Sequence, residues 1–309
     1  MVEVIVKELT SGVNLVGTYY GDVELNMVYV KGSGVLLDTA TTGIIEDVVN
    51  AIGLPKVAIV THPHEDHAGG SAYLANRGVK VIAHDVARGF LYSNLVNVDS
   101  FFPLRYRRCF DQELVESLIK DFRAKIGSPV IHESFRGVLR INGVECLEAF
   151  GHTSGTVVCI ANGVMFTSDA VQGSGIRGSK VTDSIPQVSS IDDYLNTLNM
   201  LKSISVKMLV PGHNYLPPAK RVLEGDEIKE FINTSMNSIN KLLNLGRLIL
   251  EERPMTICEF ASELIREYGV KRGLYLQALI TAEAILKYYR RRGLLRVIKE
   301  GDVALYAIR

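Results

Sequence analysis

Apolar positions recur along this chain in two rhythms. Through about residue 220 they come in short runs. Residues 2–6, 14–19, 26–30 and 34–37 suggest a strand meander, followed by a helix over 43–52. Residues 57–60, 79–83, 144–150 and 206–210 are apolar runs rich in β-branched side chains, as buried strands require. Residues 156–160 and 164–167 flank Asn162-Gly163, which predicts a hairpin with a type I′ turn. From 85 to 140 the pattern turns helical and irregular, as an insertion would. Beyond 220 the spacing becomes helical over 228–250, 256–268 and 274–292, and a hairpin is expected from 294–298 and 303–308. The expectation is an α+β domain over 1–225, with an insertion at about 85–140, and a mainly helical unit over 226–309.

The strand ends carry the chemistry. Residues 61–70 read T-H-P-H-E-D-H-A-G-G, which places His62, His64, Asp66 and His67 directly after an apolar strand. Uncoordinated, that group costs desolvation with no return; coordinated, its members are metal ligands. Pro63 biases His62 toward extended backbone, where side chains two apart share a face, so His62 and His64 converge on one ion. Asp66 and His67 are adjacent and diverge, which suggests a second position. Other candidate ligands also follow strands: His152 in Gly151-His152, Asp169 in Ser168-Asp169, and His213 in Pro211-Gly212-His213.

In that order, these motifs resemble the metallo-β-lactamase fold superfamily over roughly residues 10 to 220. The resemblance implies a four-layer αβ/βα sandwich holding two divalent metal ions, with His62, His64 and His152 on the first and Asp66, His67 and His213 on the second. Asp169 would bridge them, and Asp38 would support the histidine loop from behind. Zinc suits so many imidazoles best, with iron or manganese as alternatives. The implied reaction is attack by a metal-bridging hydroxide on a carbonyl or phosphoryl centre, with Asp66 orienting the nucleophile or moving its proton. The loop and the Gly212-His213-Asn214-Tyr215 context are similar to glyoxalase II-like thioesterases. The tail instead resembles a winged-helix module.

Three further residues are candidates for a supporting or substrate role: His84 at a strand end, Arg177 in the glycine-rich stretch 173–178 whose N–H groups could line a pocket, and Tyr215. Residues 101–108, F-F-P-L-R-Y-R-R, interleave aromatics with arginines and read as a solvated loop anchored by Phe101 and Phe102.

Charge and cysteine usage narrow the class. Formal charge is balanced over 309 residues, so the whole chain is no obvious polyanion binder. Residues 254–309 nevertheless hold ten Lys or Arg against six Asp or Glu, a net of +4 centred on Arg290-Arg291-Arg292. A solvated helix end explains that run more simply than nucleic acid does. Cys109, Cys146, Cys159 and Cys258 lack C-x-x-C spacing and are expected as reduced, buried thiols. With no leader or membrane span in the pattern, the cytoplasm is the expected compartment.

The reading is a dinuclear metal-dependent hydrolase of a small, anionic ester, thioester or lactone. The alternatives are a metal-dependent nuclease that uses the basic tail, and a nucleic-acid-binding regulator with a metal site. A homo-oligomer is compatible with either.

Overall fold

The computed structural model describes residues 2–92, 104–178, 183–270 and 275–309. The meander is present: β1 (Ile5–Thr10), β2 (Val13–Tyr20), β3 (Val23–Val30) and β4 (Val35–Leu37) pair antiparallel in order. α1 (Ile45–Ile52) crosses to β5 (Val57–Val60), parallel to β4. Two short helices, α2 (Glu65–Ala68) and α3 (Ser71–Ala75), lead to β6 (Lys80–His84). Then α4 (Asp85–Tyr92), a 3-10 turn over Leu104–Cys109 and α5 (Gln112–Ile126) precede β7 (Glu133–Phe135), which closes a seven-stranded sheet ordered β1 to β7.

The second sheet holds β8 (Leu139–Ile141), β9 (Val144–Glu148), β10 (Val157–Ala161) and β11 (Val164–Ser168). A ribbon of β12 (Ile176–Arg177) and β13 (Asp183–Ser184) and the helix α6 (Ile191–Lys202) come before β14 (Met208–Pro211), which pairs parallel to β11, and edge strand β15 (Leu223–Glu224). The chain ends in α7 (Asp226–Glu252), α8 (Ile257–Tyr268), α9 (Tyr275–Arg291) and a hairpin of β16 (Leu295–Glu300) and β17 (Val303–Ile308).

Side-chain alternation sorts these strands into four layers. Val57 and Ile59 of β5 face a core shared with Val164 and Phe166 of β11, so the two sheets pack face to face. Ala58 and Val60 face the opposite way, under α1 and α3. Met165 of β11 and Leu209 of β14 face a third core built with α6 to α9. Burial on both faces is why these strands read as unbroken apolar runs. The tail helices share that third core with the second sheet rather than enclosing one of their own.

Several expectations need correction. The first strand is Ile5–Thr10, not 2–6, because pairing through the turn at Gly12 (φ 76°) extends it to Thr10. β7 and β8 lie in the stretch read as helical and irregular; three-residue strands at sheet ends carry too few positions to show alternation. The type I′ turn is there, with φ of 47° at Asn162 and 79° at Gly163. In the aromatic and arginine stretch, residues 101–103 lie outside the described residues. Tyr106 is buried and its hydroxyl donates to Glu283 of α9, while Arg107 and Arg108 are exposed.

The cysteines are not thiols. Cys146 pairs with Cys159 across the register of β9 and β10, and Cys109 pairs with Cys258 of α8. Sequence spacing of 149 residues hides the second contact, which depends on the tail folding over the insertion. Closing so long a loop restricts the unfolded chain. Cys258→Ser should therefore lower unfolding free energy by about 2–5 kcal/mol. Urea melts of the unreduced proteins check this; coincident midpoints would refute it. Among the described residues, no helix is long and apolar enough to cross a membrane.

Candidate metal centre

Strand ends from both sheets converge at one edge of the sandwich. β5 delivers His62, and the extended backbone of His64 (φ −72°, ψ 153°) leads into α2, whose first turn carries Asp66 and His67. The loop after β9 delivers His152, β11 delivers Asp169 and β14 delivers His213. All seven are buried apart from His64, which is partly so.

Their donor atoms form two groups. In the first, His64 Nδ1 lies 3.1 Å from His62 Nε2 and 3.0 Å from His152 Nε2, with Asp169 Oδ2 at 3.6 and 3.5 Å from the same two Nε2 atoms. In the second, Asp66 Oδ2, His67 Nε2 and His213 Nε2 are 3.2–3.5 Å apart. Asp169 reaches this group too, with Oδ2 3.7 Å from His67 Nε2 and Oδ1 3.7 Å from His213 Nε2. Tetrahedral ligands bonded at about 2.0–2.1 Å lie about 3.3 Å from one another, so both groups have the spacing of a closed ligand set. Asp169 Oδ1 is buried without a hydrogen-bond partner among the described residues, as an oxygen reserved for a cation would be.

The outer nitrogens fix which inner ones are free. His67 Nδ1 meets Asp38 Oδ2 at 2.7 Å, His152 Nδ1 the Gln187 carbonyl at 2.8 Å, and His213 Nδ1 the Glu24 carbonyl at 2.7 Å. Each must donate there, leaving the Nε2 lone pair inward. His62 Nδ1 lies 3.0 Å from the Thr61 hydroxyl, and His64 Nε2 lies 3.4 Å from the Gln187 amide. Asp38, fully buried, also accepts from Thr61 N, Thr61 Oγ1 and Ser168 Oγ. Its oxygens face the outer side of the His67 ring, so it holds the loop from behind.

The electrostatics suit the cluster to binding cations. Burial drives His62 well below its usual pKa, lowers His64 to about 3 and depresses His152, leaving neutral imidazoles with available lone pairs. Burial also opposes charge on His67, yet Asp66, Asp169 and Asp38 raise it to about 10; Asp169 and Asp66 likewise raise His213. Cations entering here must displace those protons. The backbone packs closely around the site: a Cβ on Gly212 would clash with Asp169 Oδ1 and His67, and one on Gly70 with the Thr39 carbonyl oxygen and Ile45.

The family model of the metallo-beta-lactamase superfamily matches residues 23–213. The chain belongs to the metallo-β-lactamase superfamily. It is thus a superfamily hydrolase with a histidine and aspartate cluster able to bind metal. A metallo-beta-lactamase family protein from Thermus thermophilus shares the fold at 20% identity and TM-score 0.72, covering 98% of this chain and 100% of that one. A beta-lactamase domain protein from Burkholderia ambifaria does so at 16% and 0.74, covering 98% and 94%. A metallo-beta-lactamase from Erythrobacter litoralis, at 16% and 0.54, covers only 77% of this chain and 97% of its own. The first two likenesses therefore extend through the tail. No curated protein matches the sequence.

In this superfamily member two of the sequence candidates, His84 and Arg177, stand apart from the donors, whereas Tyr215 lies against one of them. His84 Nε2 bonds Glu148 Oε1 at 3.0 Å, and its ring meets Phe135 and Phe150 edge-on, so it braces the loop that precedes His152. Arg177 lines a cavity of about 360 Å³ between the 174–177 segment, α7 and α8, and no donor residue lines that cavity. The glycine-rich amides do not line a pocket as binding groups, because Gly173 N, Ser174 N and Gly175 N already donate to Ser235, Leu216 and Gln172. Tyr215 is buried with its ring against His213, and burial, then the Asp169 charge, raises its phenol well above the usual range. Reading the sequence missed Gln172, Gln187 and Ser168, single uncharged residues without spacing to mark them. It also missed Glu65, which accepts from Tyr20, itself bonded by Lys125 of α5.

Proposed function

We propose that this chain is a dinuclear metal-dependent hydrolase of a small, anionic ester, thioester or lactone. The observation that carries the proposal is the pair of donor groups sharing Asp169. His62, His64, His152 and Asp169 would hold one ion, and Asp66, His67, His213 and Asp169 the other. Their nitrogen-rich chemistry favours zinc over iron or manganese. When bound, two such ions supply Lewis-acid activation of water and of the scissile bond near neutral pH. Asp66 lies within the second group, 3.2 Å from His213 Nε2, where its carboxylate can orient the nucleophile and take its proton.

The tail's arrangement supports a small-molecule substrate over nucleic acid. Arg292 and Arg291 are both paired with Asp192 of α6, at 2.8 and 3.3 Å, so two of the three arginines of the basic run already face a carboxylate of this chain. We read the tail helices and hairpin as winged-helix-like in order alone. For the cytoplasmic location proposed, two disulfides set a condition, since intracellular disulfides are characteristic of hyperthermophile proteins.

The test is elemental analysis of fully loaded protein followed by a hydrolysis screen of thioesters, lactones, phosphodiesters and short RNAs. Two ions per chain and turnover of a thioester or lactone are expected. Fewer than two ions sinks the dinuclear assignment, and turnover of RNA alone moves the chain to the nuclease reading.

A further inference from the structure

Thr281 lies in the middle of α9, fully buried, where a hydroxyl has no packing advantage over a methyl group. Mid-helix threonines usually bond back to their own helix. This one reaches another part of the chain. Its Oγ1 donates to the Pro186 carbonyl at 2.8 Å and accepts from Val188 N at 3.0 Å. The residue between those two peptide groups is Gln187. The Gln187 carbonyl accepts from His152 Nδ1 at 2.8 Å, and its side-chain amide lies 3.4 Å from His64 Nε2. Gln172 seals the same turn, donating to the Gln187 carbonyl and accepting from its N–H, both at 2.8 Å. Beyond it, Ser189 N and Ser190 N donate to the Gly151 carbonyl, beside His152.

One hydroxyl from the tail thus fixes both flanks of the residue that orients two of the imidazoles. We propose that Thr281 is a positioning residue for the His62, His64 and His152 group, acting through the Gln187 peptide, so that α9 sets how tightly one of the two ions is held. The inference rests on the dinuclear reading above. It gives the tail a part in the metal centre that needs no nucleic acid or partner.

Outer partners of metal-bound histidines typically govern affinity by about 10–100-fold. Thr281→Val keeps the shape of the side chain and removes both hydrogen bonds, whereas Thr281→Ser keeps the hydroxyl. Titration of the metal-free proteins with Zn2+ against a competing chelator should show one ion bound about tenfold or more weakly by Thr281→Val, the other unchanged, and Thr281→Ser within about twofold of the parent. The coupling is reciprocal, so Zn2+ added to the unmutated protein should slow hydrogen exchange of the Val188 amide by about tenfold, a measurement that stands if Thr281→Val does not fold. A folded Thr281→Val chain that melts earlier yet binds both ions like the parent overturns the proposal, as does a Val188 amide indifferent to Zn2+. An unmutated chain that binds fewer than two Zn2+ ions overturns the dinuclear reading, and this inference with it.

Discussion

Asp169→Ala should fold, hold fewer than two metal ions per chain and lose at least about a thousandfold in kcat/KM. Asp169 is the side chain whose oxygens lie 3.5–3.7 Å from nitrogens of both donor groups, so removing it takes a ligand from each position. Lewis-acid stabilisation of several kcal/mol goes with the ions, and about 4 kcal/mol is about a thousandfold in rate. Folding should survive, because Asp169 Oδ1 accepts no hydrogen bond among the described residues, so that the Tyr215 phenol is the one neighbour that loses a partner, and the left-handed backbone position is Ser168 (φ 46°), one residue earlier. Circular dichroism and metal analysis on the same preparation separate loss of the site from loss of the fold. A folded variant that keeps two ions and parental turnover contradicts the shared-ligand assignment.

The donors were legible because the chemistry repeats a local grammar: an apolar strand, then a histidine or aspartate at its end. Val57 to Val60 before His62 and Met208 to Pro211 before His213 each put the donor side chain two residues past the strand, and the fold gathers those ends at one edge. What escaped was whatever depends on distant segments meeting. Gln187 meets His152 through its backbone carbonyl, which any residue could supply, and Thr281 reaches the flanks of Gln187 across 95 and 93 positions of sequence. The Cys109–Cys258 bridge likewise joins the insertion to the tail. His84 and Arg177 each stand at a plausible place in sequence, but the structure commits the first to Glu148, bracing the segment before His152, and sets the second in a cavity that no donor residue lines. Local pattern reveals which residues could bind; it does not reveal what holds them in place.

Asp38 is the strongest case of holding in place, and Asp38→Ala should cost about 3–5 kcal/mol of unfolding free energy in the metal-free protein. The side chain is fully buried and accepts four hydrogen bonds, from Thr61 N at 2.7 Å, Thr61 Oγ1 at 2.9 Å, Ser168 Oγ at 2.9 Å and His67 Nδ1 at 2.7 Å. Alanine strands the donors of two strand-end loops in the dry interior, and breaking one partner of a buried charged pair falls in this range. Set against a total stability of about 5–15 kcal/mol, that is a large share, so the melt should shift clearly. Asp38→Asn separates support of the fold from support of the metal. With its oxygen toward Thr61 N, the asparagine places an NH2 group against His67 Nδ1, which forces the imidazole proton onto Nε2 and blocks the lone pair that faces Asp66 and His213. The asparagine variant should therefore melt closer to the parent than the alanine variant and still lose the ion of the second group. Chelator titration with Zn2+ decides it: parental affinity for two ions in folded Asp38→Asn would show that the carboxylate does not set the His67 tautomer.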